Sequence, residues 1–151
     1  MRACRVNSPS DMRILLLGEM MTLKVMTLHE DDSLDLADWD MKVGEIRHLP
    51  VVDHQRRVVG MVSDRDILRA ASKHPREPVS VGALMTRDVH ACLPTVAALD
   101  AAAWLLESKR GALPVVDGEG RLLGIVTTSD FVELARRALA GHDVGQPHLR
   151  A

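Results

Sequence analysis

Aromatic side chains are nearly missing: 151 residues contain no tyrosine, one phenylalanine and two tryptophans. A core must therefore be aliphatic and methionine-rich, and the ring platforms on which single-stranded nucleic acid stacks are essentially unavailable, so a dedicated RNA reader is not expected. A large excess of either charge is missing too. A formal net charge of −2 and a pI near 6.4 give no electrostatic drive toward DNA or an anionic membrane. The two cysteines, Cys4 and Cys92, show no metal-ligand spacing and fit a reducing compartment in which neither needs a partner. Long apolar runs are also absent near the start: Ile14 to Leu17 is short and preceded by Asp11 and Arg13, unlike a signal peptide or a membrane span. These absences lead to the expectation of a soluble, cytoplasmic protein. What is present, 46% hydrophobic and 26% charged residues, is globular, and a chain of this length can bury about 68–70% of its extended surface.

The chain is organised around Gly60-Met61-Val62-Ser63-Asp64-Arg65-Asp66, an apolar strand running into an acidic helix start. Gly124-Ile125-Val126-Thr127-Thr128-Ser129-Asp130 repeats it, and both 124 − 60 and 130 − 66 give 64. The same offset carries Met21-Thr22 onto Met85-Thr86, and Leu49-Pro50-Val51-Val52-Asp53 onto Leu113-Pro114-Val115-Val116-Asp117. Two copies of one unit are the simplest account.

Each unit reads as helix, strand, helix, strand, strand, helix. Short helical turns open at Leu16 and Ser80, and strand-like runs follow at Val25 to Leu28 and Val89 to Leu93. Ser33 is the expected cap of the first long helix, with Leu34, Ala37 and Met41 on its buried stripe. Thr95 is the expected cap of the second, over Ala98, Ala101, Ala102 and Leu105. Hairpins turn at His54 to Arg57 and Gly118 to Arg121, and closing helices run from Asp64 to about Lys73 and from Thr128 to about Ala140. His74-Pro75-Arg76-Glu77-Pro78 cannot continue a helix and serves as linker. The expected division is a polar leader over 1–15, repeats over 16–76 and 80–140, and a flexible tail over 141–151. Neither half can comfortably bury both faces of its sheet alone, so the two are expected to pack around a pseudo-two-fold axis.

This pattern resembles the tandem CBS (cystathionine-β-synthase-type) domain pair over about Leu16 to Ala140, carried by the Met-Thr pairs, the Leu-Pro-Val-Val-Asp strands and the two Gly-x-Val-Ser/Thr-x-x-Asp endings. The resemblance implies an α/β (α+β) fold of two pseudo-symmetric repeats, each a small three-stranded sheet with helices, packed into one module. It also implies a regulatory sensor, not an enzyme, that binds AMP, ADP, ATP or an S-adenosylmethionine-like ligand in the cleft between repeats. Homodimers and an effector protein acted on in trans belong to the same implication.

By that resemblance Asp66 and Asp130 hold ribose hydroxyls, with Ser63 and Thr127 beside ribose or phosphate. One site combines Thr127 and Asp130 with Thr22, Thr27, Arg47 and His48; the other combines Ser63, Arg65 and Asp66 with Thr86, Ala91, Gly111 and Ala112. Arg47 and His48 offer donors where Gly111 and Ala112 offer only room, so the Asp130 site is expected to favour phosphorylated ligands. A strand-to-helix junction suits this work because helix N-terminal N–H groups favour an anion. The competing reading is structural: Ser/Thr-x-x-Asp is also a capping box, leaving a dimerisation module with non-functional pockets. Trp39 and Trp104 read as core or dimer-contact residues, and Arg110 stands where an apolar residue is usual in the family. His29-Glu30-Asp31-Asp32 reads as a solvated helix start, with no metal. No nucleophile triad, Cys-x-x-Cys, His-Glu-x-x-His or P-loop is found, and no cofactor is called for.

Overall fold

The computed structural model describes residues 13–73 and 76–144. Most of the expected leader, Cys4, the His74-Pro75 part of the linker and the tail beyond residue 144 lie outside the described residues.

The first repeat comprises α1 (Leu17–Met20), α2 (Leu34–Gly44), β1 (His48–Val52), β2 (Val58–Ser63) and α3 (Asp64–Lys73). The second comprises α4 (Val81–Leu84), α5 (Ala98–Ser108), β3 (Ala112–Val116), β4 (Leu122–Thr127) and α6 (Thr128–Leu139). β1 pairs antiparallel with β2, and β3 with β4, with His48 opposite Ser63 and Ala112 opposite Thr127. The third strand of each sheet is one residue long: Leu28 bridges Val51, and Cys92 bridges Val115, both in parallel. Leu28 N–H donates to the Pro50 carbonyl at 2.9 Å and Cys92 N–H to the Pro114 carbonyl at 3.0 Å. The next rung back would need a donor from Pro50 or Pro114, which have no N–H, so the parallel ladder stops there.

Ser33 caps α2 as its sequence predicts, its hydroxyl accepting from Leu36 N–H at 3.2 Å. Thr95 does not cap α5. The cap position is Ala97, without a side-chain bond, because Ala98 N–H first donates to the Leu15 carbonyl at 2.7 Å and holds the chain extended. Ala97 is the residue that the 64-residue offset places on Ser33. Trp39 is not a core residue either: it is 65% exposed, on the side of α2 away from buried Ala37 and Met41.

The opening helices are exchanged between the repeats. Fully buried Leu17 of α1 belongs to the second repeat's core with Ala101, Leu105, Leu113, Val115 and Val126. Val81 and Met85 complete the first repeat's core around Leu28, Ala37, Met41, Leu49, Val51 and Val62. Thr22 bridges Ile125 of β4, and Thr86 bridges Met61 of β2. Full burial of a leucine or valine contributes about 1.5–3 kcal/mol, so each repeat draws part of its stability from the other. Gly60 and Gly124 make the exchange sterically possible: a Cβ on Gly60 would collide with the Met85 side chain, and one on Gly124 would lie 2.7 Å from Met21 Sδ. The hairpins also meet at their turns, where Val58 N–H donates to the Gly120 carbonyl at 3.1 Å and Leu122 N–H to the Arg56 carbonyl at 2.9 Å.

Candidate functional site

Between the repeats lies an open cleft of about 1190 Å³. It is lined by the first turns of α3 and α6, through Asp64, Arg65, Asp66, Thr128, Ser129 and Asp130. Two helix N-termini thus present positive dipole ends to one cavity, which favours an anion. The exchanged segments bring Thr22 and Thr86 into the same walls.

Of the residues expected in the two sites, Thr22, Arg47, His48, Ser63, Arg65, Asp66, Thr86, Gly111, Ala112, Thr127 and Asp130 line the cleft. Thr27 and Ala91 do not. The walls are formed instead by Val25 with Met26, and by Val89 with His90. By residues 27 and 91 the chain has reached the sheet edge, one residue before the bridges to Val51 and Val115.

Both aspartates make the capping contact. Asp66 Oδ2 accepts from Ser63 N–H and from its hydroxyl, each at 2.9 Å; Asp130 Oδ2 accepts from Thr127 N–H at 2.7 Å and from its hydroxyl at 3.1 Å. Capping uses one oxygen of each carboxylate, and an ionised carboxylate has about four acceptor sites. The second oxygens differ between repeats. Asp66 Oδ1 has Arg69 Nη1 at 3.7 Å, whereas the position equivalent to Arg69 is Glu133, which pairs with Arg136. Hence the cap and an open cleft exist together, and cap geometry alone does not exclude a ligand.

The exchange decides where the two threonines of the site lie. Thr22 lies beside β4 and so on the Asp130 side, and Thr86 beside β2 on the Asp66 side. Arg47 and His48 are tied to their own repeat's helix start through the backbone alone, and both line the shared cleft. The Arg47 carbonyl accepts from Asp64 N–H at 3.0 Å, as the Gly111 carbonyl accepts from Thr128 N–H at 3.1 Å. The His48 ring then reaches across the seam: a Cβ on Gly111 would lie 2.6 Å from His48 Cε1. The room offered by Gly111 is filled by an imidazole from the other repeat. Burial pulls the His48 pKa below its ordinary value, against the opposing pull of Asp64 and Asp66. Among these lining groups His48 joins the two halves of the cleft.

Sequence reasoning missed the side walls. Met26 and Ile46 line one, where both would meet a Cβ placed on Gly44. His90 and Trp104 line the other as a stacked pair, ring centroids 4.2 Å apart and planes 15° from parallel. Trp104, expected in the core or at a dimer contact, touches the core on one side and the cleft on the other. Lys24, Lys109 and Arg110 add cationic groups to the lining. Arg110 occupies the position equivalent to Ile46, so this departure from the family pattern falls on the cleft itself. Outside it, Asp32 Oδ2 accepts from His29 N–H at 2.7 Å, closing a turn that precedes the Ser33 cap of α2. Among the described residues no group of three His, Cys, Asp or Glu is arranged to hold a metal ion.

The family model of the CBS domain matches residues 17–73 and 81–137. The chain therefore belongs to the CBS domain family, as a tandem pair. A CBS domain-containing protein of Dictyostelium discoideum is 30% identical over 83% of this chain and 94% of its own length. A longer protein of Methanocaldococcus jannaschii is 31% identical, and the chain spans only 41% of it. Among solved structures, the CBS domain pair of protein MJ0100, in complex with 5′-methylthioadenosine and S-adenosyl-L-methionine, is similar with TM-score 0.78 and 26% identity, covering 83% of this chain and 99% of that one. CBSX2 in complex with AMP is similar with TM-score 0.72 and 33% identity over 82% of this chain and 98% of that one. No helix among the described residues is long and apolar enough to cross a membrane.

Proposed function

We propose that the protein is a regulatory module, not an enzyme, that binds adenosine-containing ligands (AMP, ADP, ATP or an S-adenosylmethionine-like compound) in the inter-repeat cleft. The observation that carries this reading is that Asp66 and Asp130 line an open cleft at two helix N-termini while using only one carboxylate oxygen each for capping. The second oxygen suits ribose 2′ and 3′ hydroxyls, and the helix N-termini suit phosphate. Arg47 and His48 serve phosphate from the seam. The adenosine compounds bound by MJ0100 and CBSX2 support the ligand class.

Occupancy draws the two repeats together and alters the surface that an effector protein reads in trans. The module works in the cytoplasm as a homodimer, without a nucleic-acid or membrane partner. Leu36, Trp39 and Val43, spaced at three and four residues on α2 and 42%, 65% and 62% exposed, support a protein contact there.

A thermal-shift screen with AMP, ADP, ATP, S-adenosylmethionine and NAD tests the reading. A ligand at 100 times its Kd adds about 2.7 kcal/mol, or about 5–10 °C at this size. Asp66→Ala and Asp130→Ala each lower the unliganded protein by about 1 kcal/mol, because the caps are formed, and each reduces the ligand-induced shift. The capping bonds also favour a second reading, a structural dimerisation module. In that case the same variants lose the cap energy and no compound moves Tm in any of them.

A further inference from the structure

The two halves of the cleft have walls of different chemistry. Thr86 is bridged to Met61, two residues before Ser63, and four residues later His90 stacks on Trp104. Thr86 thus ties that aromatic wall to the strand that leads into Asp66. Thr22 is bridged to Ile125, two residues before Thr127, and four residues later stands Met26, against Ile46 rather than an aromatic ring. The residues equivalent to His90 and Trp104 at the 64-residue offset are Met26 and Asp40, so the first repeat cannot form the stack.

We infer that the His90–Trp104 stack is the base-reading wall of the Asp66 half, selecting ligands with a flat purine ring, whereas the Met26–Ile46 wall of the Asp130 half accommodates ligands with little regard to their base. This inference rests on the nucleotide-binding reading above. An aromatic face rewards a planar ring at a fixed angle and does nothing for a bare sugar phosphate. An unbranched thioether adapts to many shapes, the usual means by which binding surfaces stay permissive. Trp104 is held from behind by the second repeat's core, so its ring is pre-positioned rather than ordered by the ligand.

Equilibrium titrations with AMP and with ribose 5-phosphate test this in two backgrounds, Asp130→Ala to isolate the Asp66 half and Asp66→Ala to isolate the other. The Asp66 half is expected to prefer AMP over ribose 5-phosphate by at least about tenfold more than the Asp130 half does. Trp104→Leu, and separately His90→Ala at an exposed position that spares the core, should weaken AMP at the Asp66 half by roughly fivefold to a hundredfold and leave the Asp130 half within twofold. AMP binding in both halves with equal base preference, or equal weakening of both by either variant, overturns the inference and leaves the sensor reading standing. Absence of AMP binding from the wild-type protein, with the other adenosine ligands also inert, overturns both.

Discussion

Both repeats place a glycine in the strand that receives the other repeat's methionine, and they surround that glycine differently. Beside Gly60 the near neighbours are side-chain atoms of Met85, which can rotate away; beside Gly124 the Thr22 carbonyl oxygen stands 2.8 Å from where a Cβ would be. That oxygen is fixed, because Thr22 and Ile125 exchange backbone hydrogen bonds of 2.9 and 3.1 Å. A pseudo-symmetric fold is thus equally well paired on both sides and unequally tolerant. Its second repeat has the less yielding neighbour at this glycine.

The largest effect follows at these glycines. Gly124→Ala should cost about 2–3 kcal/mol, and Gly60→Ala nearer 1, within the range for overpacked sites, when urea midpoints of the two variants are compared. Equal losses would show that the carbonyl near Gly124 moves as readily as a methionine. A smaller effect is expected at the hairpin turns. Asp53 and Asp117 organise them identically, each Oδ1 accepting two backbone N–H groups at 2.9 Å, yet the left-handed position is Gly120 in one and Arg56, at φ 62°, in the other. Arg56→Gly should therefore stabilise by about 0.5–1 kcal/mol and Gly120→Ala destabilise by a similar amount, read as opposite shifts in Tm.

The smallest effect is a slope. His48 has Ala112 as its counterpart, so only one repeat carries a titratable ring at this position. With its folded pKa held below the ordinary 6.5 by burial, the folded protein favours the neutral ring. Its contribution to stability is complete above about pH 6.5 and is lost as pH falls through the lower folded value. Below pH 6.5 the wild-type Tm should fall more steeply than that of His48→Ala; parallel curves would place the ring in water.

Much of this architecture was legible because a fixed offset carries backbone information. The offset fixed the strands, the closing helices and the doubled Ser/Thr-x-x-Asp, and followed strictly it would have put the α5 cap at Ala97 instead of Thr95. The exchange of α1 and α4 was not legible in spacing alone: Met21 matches Gly60 as well as Gly124 in a duplicated chain, and only packing selects the partner. The side walls escaped for a related reason. Trp104 carries both core and cleft contacts, and composition registers a tryptophan without saying which way its other face looks. His48 filling the space beside Gly111 is likewise a contact across the seam, invisible to reasoning within one repeat.

In the function proposed, two capped carboxylates also serve as ribose acceptors, one in each half of a shared cleft. Isothermal titration of AMP into the wild-type protein and the Asp66→Ala, Asp130→Ala and doubly substituted proteins, each checked for folding, tests it most directly. Two ligands per chain in the wild type, one in each single variant and none in the double variant are predicted. Undiminished binding by the folded double variant, or no heat from the wild type, would contradict it.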